Sequence, residues 1–266
     1  MTQIIDYSWA RPDPKAIVAA GYPGVIRYLS KDPSKNLTTA ERDALFAEDL
    51  NILLVWETTG DTTGGSDVGK AHAAEANKQA DSLGYPSDVP IFYASDHDYL
   101  PDQVIGYYNG VAAAGGRPWG IYGGIKLIDG ITAPWYWQAA GWSGGNVSTR
   151  AHLHQFVSGS KIPGTDVNAV LNPVPMWSKE STKTKPVSKT VGPRLLRTGV
   201  TGQDVKTLQL MLNRVFPLYS HLVVDGIFGP LTESVVKQFQ ARAHIAVDGI
   251  VGPQTRKALA VYGIWL

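Results

Sequence analysis

The 266-residue sequence contains no cysteine and only three methionines. Without a thiol there is no disulfide framework, no cysteine nucleophile and no cysteine-ligated zinc, which removes papain-like hydrolysis at once. Apolar runs are short: none approaches the roughly 18 to 20 residues that a membrane helix needs. The first residues, MTQIIDYSWARPDP, lack the basic start, apolar stretch and small-residue cleavage site of a secretory leader. No Gly-x-Gly-x-x-Gly follows the first apolar strand, and the Gly64-Gly65 and Gly123-Gly124 pairs lack the Lys-Ser/Thr of a phosphate loop. There is no His-Glu-x-x-His, and over residues 178–266 Arg and Lys are not interleaved with aromatics, so nucleic-acid binding finds no support. What remains is a chain with 44% hydrophobic residues, too apolar for disorder and long enough for a large domain plus a small one.

The net charge of +1 hides an asymmetry: residues 1–177 carry 12 Lys+Arg against 18 Asp+Glu, and residues 178–266 carry 12 against 5. An acidic front and a basic back point to two units, the second suited to a polyanionic surface. The stretch between them, SKESTKTKPVSKTVGP at 178–193, offers too little apolar area to offset its ordering entropy and reads as a linker.

Behind it, Val224-Asp225-Gly226-Ile227-Phe228-Gly229-Pro230-Leu231-Thr232 recurs as Val247-Asp248-Gly249-Ile250-Val251-Gly252-Pro253-Gln254-Thr255. In each copy Asp-Gly marks a tight turn and Gly-Pro starts a helix. With a further helix over about 203–215, whose Val205, Leu208, Leu212 and Val215 share one face, residues 194–266 form a small all-α three-helix domain. The ordered set Leu196-Arg197-Thr198-Gly199, Val205-Lys206-Thr207-Leu208-Gln209, the first repeat copy and Val236-Lys237-Gln238-Phe239-Gln240 resembles the peptidoglycan-binding domain of cell-wall hydrolases. The resemblance implies attachment to the bacterial wall without catalysis.

In residues 1–177 short apolar strands alternate with helical patterns. Strands are predicted at 4–7, 25–29, 52–56, 91–94, 119–122, 136–140, 153–156 and 166–169, with helices at 13–20, 39–49, 66–83 and 101–114. Eight strands and interleaved helices predict an α/β fold, a TIM-like (β/α)8-type barrel. Asp6, Glu57, Asp96, Asp98 and Asp166 all fall at strand ends, where a barrel gathers its catalytic groups. Crowded carboxylates repel, so one retains its proton while another ionises, the division of labour that glycosidic cleavage uses. Flat aromatic faces pack on sugar rings, and Tyr7, Trp9, Tyr93, Tyr122, Trp137 and Trp142, with Gln155, are the candidate substrate-binding residues. His152-x-His154 would place two imidazoles on one strand face and leaves a zinc amidase open.

The segments Ile5-Asp6-Tyr7-Ser8, Tyr93-Ala94-Ser95-Asp96-His97-Asp98, Trp137 to Trp142, His154-Gln155-Phe156 and Asp166-Val167-Asn168 resemble glycoside-hydrolase-like barrels of bacterial and phage wall lysins, relatives of the family 25 lysozymes (N-acetylmuramidases). In that family an Asp on the first strand, an Asp-x-Glu on the fourth and an Asp near the last carry the chemistry. Asp6, Asp96 and Asp166 match, whereas Asp98 stands where the family has its general-acid Glu. Either the substrate approaches closer, or Glu57 supplies the acid, or the barrel binds without cutting. The resemblance implies a phage endolysin that hydrolyses the glycan strand of peptidoglycan; no cofactor, metal or membrane insertion is expected from the residues, and a monomer is the default expectation. The resemblance also implies synthesis in a bacterial host cytoplasm without a signal peptide.

Overall fold

The computed structural model describes residues 1–58, 61–156, 159–183 and 194–262. The chain divides into two compact units, Met1–Lys185 and Pro186–Leu266.

The first unit is a closed eight-stranded barrel in sequential order: β1 (Gln3–Tyr7), β2 (Gly24–Leu29), β3 (Asn51–Trp56), β4 (Ile91–Ala94), β5 (Trp119–Gly123), β6 (Trp135–Ala139), β7 (Leu153–Phe156) and β8 (Asp166–Val170). Strands β1 to β7 pair in parallel, but β8 runs antiparallel to both β7 and β1. The expected (β/α)8-type barrel is present, with its last strand reversed. Nine residues (157–165) join β7 to β8, fewer than the dozen or so that a parallel crossover needs, whereas 13 residues (140–152) carry the chain from β6 to the parallel β7.

Helices α1 (Pro14–Ala19), α2 (Thr39–Ala47), α3 (Gly65–Leu83), α4 (Pro101–Ala114) and α5 (Ile125–Gly130) follow β1 to β5 in turn. Their starts are written locally. Thr38 Oγ1 accepts from the Glu41 N–H at 3.1 Å, and Pro occupies the first turn of α1 and α4. Helices α3 and α4 approach so closely that a Cβ on Gly69 would lie 2.0 Å from the Tyr107 carbonyl oxygen, and one on Gly110 2.0 Å from that of Ser66. Only glycine fits at either place.

Trp177 closes the unit, fully buried edge-on to Phe46 and Tyr85 and bridged by backbone to Ile52. Of the stretch read as a linker, Lys179–Lys183 form a helical turn, α6, and residues 184–193 lie outside the described residues.

The second unit packs α7 (Gln203–Val215), α8 (Pro230–Arg242) and α9 (Pro253–Val261) around Leu196, Leu208, Leu212, Phe228, Phe239 and Val251. The predicted apolar face of α7 is the face that is buried. In both repeat copies the Asp carboxylate accepts the N–H two residues on, Ile227 or Ile250, at 2.8 Å, closing the turn that feeds the next helix.

Candidate active site

Strand alternation sorts the barrel side chains into two sets. Asp6 on β1, Tyr28 on β2, Tyr122 on β5, Trp137 on β6, Gln155 on β7 and Asn168 on β8 converge inside, as their mutual contacts show. Tyr7, Arg27 and Tyr93 face the surrounding helices.

Because β8 is reversed, its first residue, Asp166, arrives opposite Asp6 at the rim where β1 ends. Asp6 is 2% exposed, and its carboxylate accepts from Tyr28 Oη (3.1 Å), Gln155 Nε2 (3.0 Å) and Asn168 Nδ2 (2.7 Å). Burial outweighs those three donors and, with repulsion from Asp166, pushes the Asp6 carboxyl up to about 7. Burial raises Asp166 as well.

Glu57 follows β3 and lies 2.8 Å from Lys35 Nζ. Its carboxyl sits above the ordinary glutamate range because burial outweighs the Lys35 hydrogen bond and charge, and Asp96 adds repulsion. Glu57 and Thr58 line two cavities, one of about 320 Å³ bounded by Trp9, Ser30, Lys31 and Asp61, the other of about 150 Å³ bounded by Asp96, His97 and Tyr99. Glu57 is thus part of the wall between them. Tyr122 ties the acidic groups together: burial, then the charges of Asp96, Asp6, Glu57 and Asp166, keep its phenol protonated.

Asp98 is not part of this cluster. It is exposed and held by Lys126 Nζ at 2.9 and 3.1 Å. Two residues beyond Asp96 on a departing loop, strand alternation no longer directs it inward.

Among the aromatics, Trp9 is 62% exposed at the mouth of the larger cavity, with its indole N–H on Ser34 Oγ and Lys35 Nζ 4.6 Å from its ring centre. Trp142 is half-buried in the turn after β6, against Gly124. Tyr122 and Gln155 belong to the interior network. Three expected sugar platforms are corrected. Tyr7 is buried beneath the Arg27 guanidinium, beside the Arg27–Glu41 ion pair. Tyr93 is buried on the α4 side, where Tyr108 Oη donates to its carbonyl. Trp137 faces the interior but is 1% exposed, stacked edgewise on Tyr122 with its N–H on Asn168 Oδ1.

Tyr28, Asn168 and Lys35 are the site residues missing from the sequence expectation. Alternation from Asp166 marks Asn168 as inward, and pairing of Asp6 with Ile26 marks Tyr28, two residues on. Lys35 lies in a loop without periodicity, so no such signal exists for it. Residues Gly141–Gly145 spell Gly-x-Ser-x-Gly. Ser143 there is buried, donates to the Ala139 carbonyl at 2.5 Å and accepts the Ile125 N–H that opens α5, so it caps a helix and is no exposed nucleophile elbow. His152 Nδ1 accepts the Tyr136 N–H, His154 packs on Phe156, and neither belongs to a group of three or more His, Asp or Glu able to hold a metal among the described residues.

Comparison with known proteins agrees with this architecture. Residues 15–170 match the family model described as "Rv2525c-like, glycoside hydrolase-like domain", and residues 201–259 match the "Putative peptidoglycan binding domain" model. The Mycobacterium tuberculosis H37Rv protein named "Putative peptidoglycan hydrolase Rv2525c" is 27% identical over 195 residues, covering 64% of this chain and 81% of the relative. Crystal structures of the M. tuberculosis Tat-secreted protein Rv2525c, with HEPES and with L-tartrate, superpose with a TM-score of 0.60 each at 28% and 27% identity, covering 66% of this chain and 98% of theirs. The Tat-secreted relative corrects the expectation of a cytoplasmic product without a signal peptide, since it points to export across the membrane.

Proposed function

The chain belongs to the Rv2525c-like, glycoside hydrolase-like family, and we propose that its barrel hydrolyses the glycan strand of bacterial peptidoglycan in the manner of an N-acetylmuramidase. Residues 194–266 hold the enzyme on the wall, joined to the barrel through 178–193. The observation that carries this reading is the position of Glu57 in the wall between two adjoining cavities, with its carboxyl raised by burial. A sugar in each cavity brings the oxygen that links them beside Glu57.

Glu57 gives its proton to that oxygen, which leaves with the electron pair of the broken C–O bond. The anomeric carbon takes the oxygen of the neighbouring N-acetyl group or of a water, oriented by Asp96 on the far side of Glu57. Asp6 and Asp166 supply negative charge beneath the developing cation. Proton transfer of this kind contributes roughly 10² to 10⁴ in rate. Trp9, at the open end of the larger cavity, offers its ring to a sugar face.

One observation favours a second reading, a barrel that binds glycan without cutting it. The Lys35 ammonium 2.8 Å from Glu57 stabilises the ionised carboxylate, and an acid must be protonated to act. Mass spectrometry of digested peptidoglycan after borohydride reduction separates the two. Reduced N-acetylmuramic acid ends are expected; glycan retained with no new reducing ends establishes the binding module, and free stem peptides establish an amidase.

A further inference from the structure

Asp6 Oδ2 accepts two N–H groups, from Asn168 Nδ2 and Gln155 Nε2. Both partners are primary amides, which can present either an N–H or a C=O to a neighbour. The group behind each amide decides which. An indole N–H only donates, so Trp137 Nε1, at 2.7 Å from Asn168 Oδ1, turns the Asn168 amino group toward Asp6. Tyr122 Oη donates to Gln155 Oε1 at 2.7 Å and turns Gln155 in the same sense. That phenol keeps its hydrogen, because burial and the surrounding carboxylates oppose its ionisation. Trp137 is enclosed between the rings of Tyr122 and Phe92, so its N–H has no water to turn to. Asp6 Oδ1, by contrast, has one hydrogen-bond partner among the described residues, Tyr28 Oη at 3.1 Å.

We propose that Trp137 and Tyr122 are positioning residues that lock the Asn168 and Gln155 amides as donors, so that Oδ1 is the one oxygen of Asp6 that takes up and releases a proton. An oxygen receiving two N–H bonds has no room for a hydrogen of its own, and a proton arriving there would face both donors. On Oδ1 the new O–H meets a phenol oxygen that can accept it. The groups facing Asp6 are Tyr28 from β2, Gln155 from β7, and Asn168 and Asp166 from β8, with Tyr122 behind Gln155 and Asp96 and Glu57 acting on Tyr122. The inference rests on the reading of Asp6 as a working carboxylate of the glycan cleft, but its test does not require glycan.

The test is the titration of Asp6, followed by carboxyl ¹³C NMR on aspartate-labelled full-length protein and assigned with Asp6→Asn. Trp137→Phe and Tyr122→Phe each delete one donor and keep the ring. Trp119→Phe removes another buried indole of the same barrel, whose N–H has no hydrogen-bond partner among the described residues. Asp6 is expected to titrate about one unit higher in both donor deletions, because each lets an amide carbonyl face the carboxylate, and to stay in place in Trp119→Phe. The acid limb of glycan cleavage is expected to move with it. An unmoved Asp6 in both deletions, or an equal shift in Trp119→Phe, overturns the proposal. If the wild type releases no reducing ends, the hydrolase reading fails while the titration still decides the wiring.

Discussion

Gln209 and Gln240 make the same set of hydrogen bonds in successive copies of one turn. Gln209 Nε2 donates to Asp225 Oδ1, the Ile227 carbonyl and Thr232 Oγ1, and its Oε1 accepts the Gly226 N–H. Gln240 does likewise with Asp248, Ile250, Thr255 and Gly249. Each glutamine is buried on the helix that precedes its turn, so the Asp-Gly-Ile repeat is held from behind by a residue outside it.

Replacing Gln209 by Leu removes these bonds and leaves the Gly226 N–H and the Thr232 hydroxyl buried without their partner. Leaving such groups unsatisfied costs about 1–3 kcal/mol. Urea unfolding is expected to show a loss of that order, with hydrogen exchange at the Gly226 amide accelerated. Gln240→Leu is expected to do the same at Gly249. An unchanged exchange rate at the affected glycine would show that the glutamine does not hold the turn.

The contrast between Glu57 and Asp98 is open to direct measurement. Glu57→Gln is expected to lower the release of reducing ends from peptidoglycan by 10²-fold or more, as loss of a general acid does. Asp98→Asn breaks only an exposed pair with Lys126, and activity within about threefold of wild type is expected, since such pairs contribute little. The reverse ranking would return the acid role to Asp98.

Asp6 gives stability a characteristic pH dependence. Its carboxyl titrates at about 7 in the folded protein, against the ordinary 3.8 that an unfolded chain shows. Between those values the folded state holds a proton that the unfolded state has released. The contribution of Asp6 is therefore fully present below about pH 4 and is lost as pH rises toward 7, by up to about 1.4 kcal/mol per unit. Comparing urea unfolding of wild type and Asp6→Asn from pH 4 to 8 is expected to show the wild type losing ground to the variant as pH rises. Parallel curves would mean that Asp6 titrates alike in both states.

Deleting 194–266 converts a tethered enzyme into a free one. If the second unit acts by holding the barrel on the wall, lysis of cell walls is expected to fall most at low enzyme concentration and to recover at high, because tethering raises the local concentration. An equal loss at every concentration would assign residues 194–266 a different part.

The strands were legible because their apolar side chains are continuous and short, and every predicted strand has its counterpart within one or two residues of its ends. The direction of β8 was not. Asp166–Val170 reads the same forwards and backwards as a strand, and only the short connection before it hints at the reversal. The acidic cluster was legible as a list of strand ends, yet Asp98 shares that signal with Asp96 and departs only because the loop turns outward. Alternation would have separated Tyr7 and Tyr93 from the interior, since each is one residue out of phase with an inward neighbour, Asp6 or Ala94. Lys35 was beyond reach for another reason. Its partner Glu57 lies on a different loop, and a lone polar residue in a loop carries no periodic signature.

The reversal of β8 has one more effect. A strand that enters at the rim leaves at the floor, and after Val170 the chain continues to Trp177, which bridges Ile52 near the amino end of β3. The outgoing polypeptide is thus clamped by Trp177 at the pole opposite Asp6 and Asp166. Changes that tighten or loosen this clamp therefore act on the barrel from its floor and leave the loops of the cleft untouched, so the stability of the first unit can be tuned separately from its chemistry.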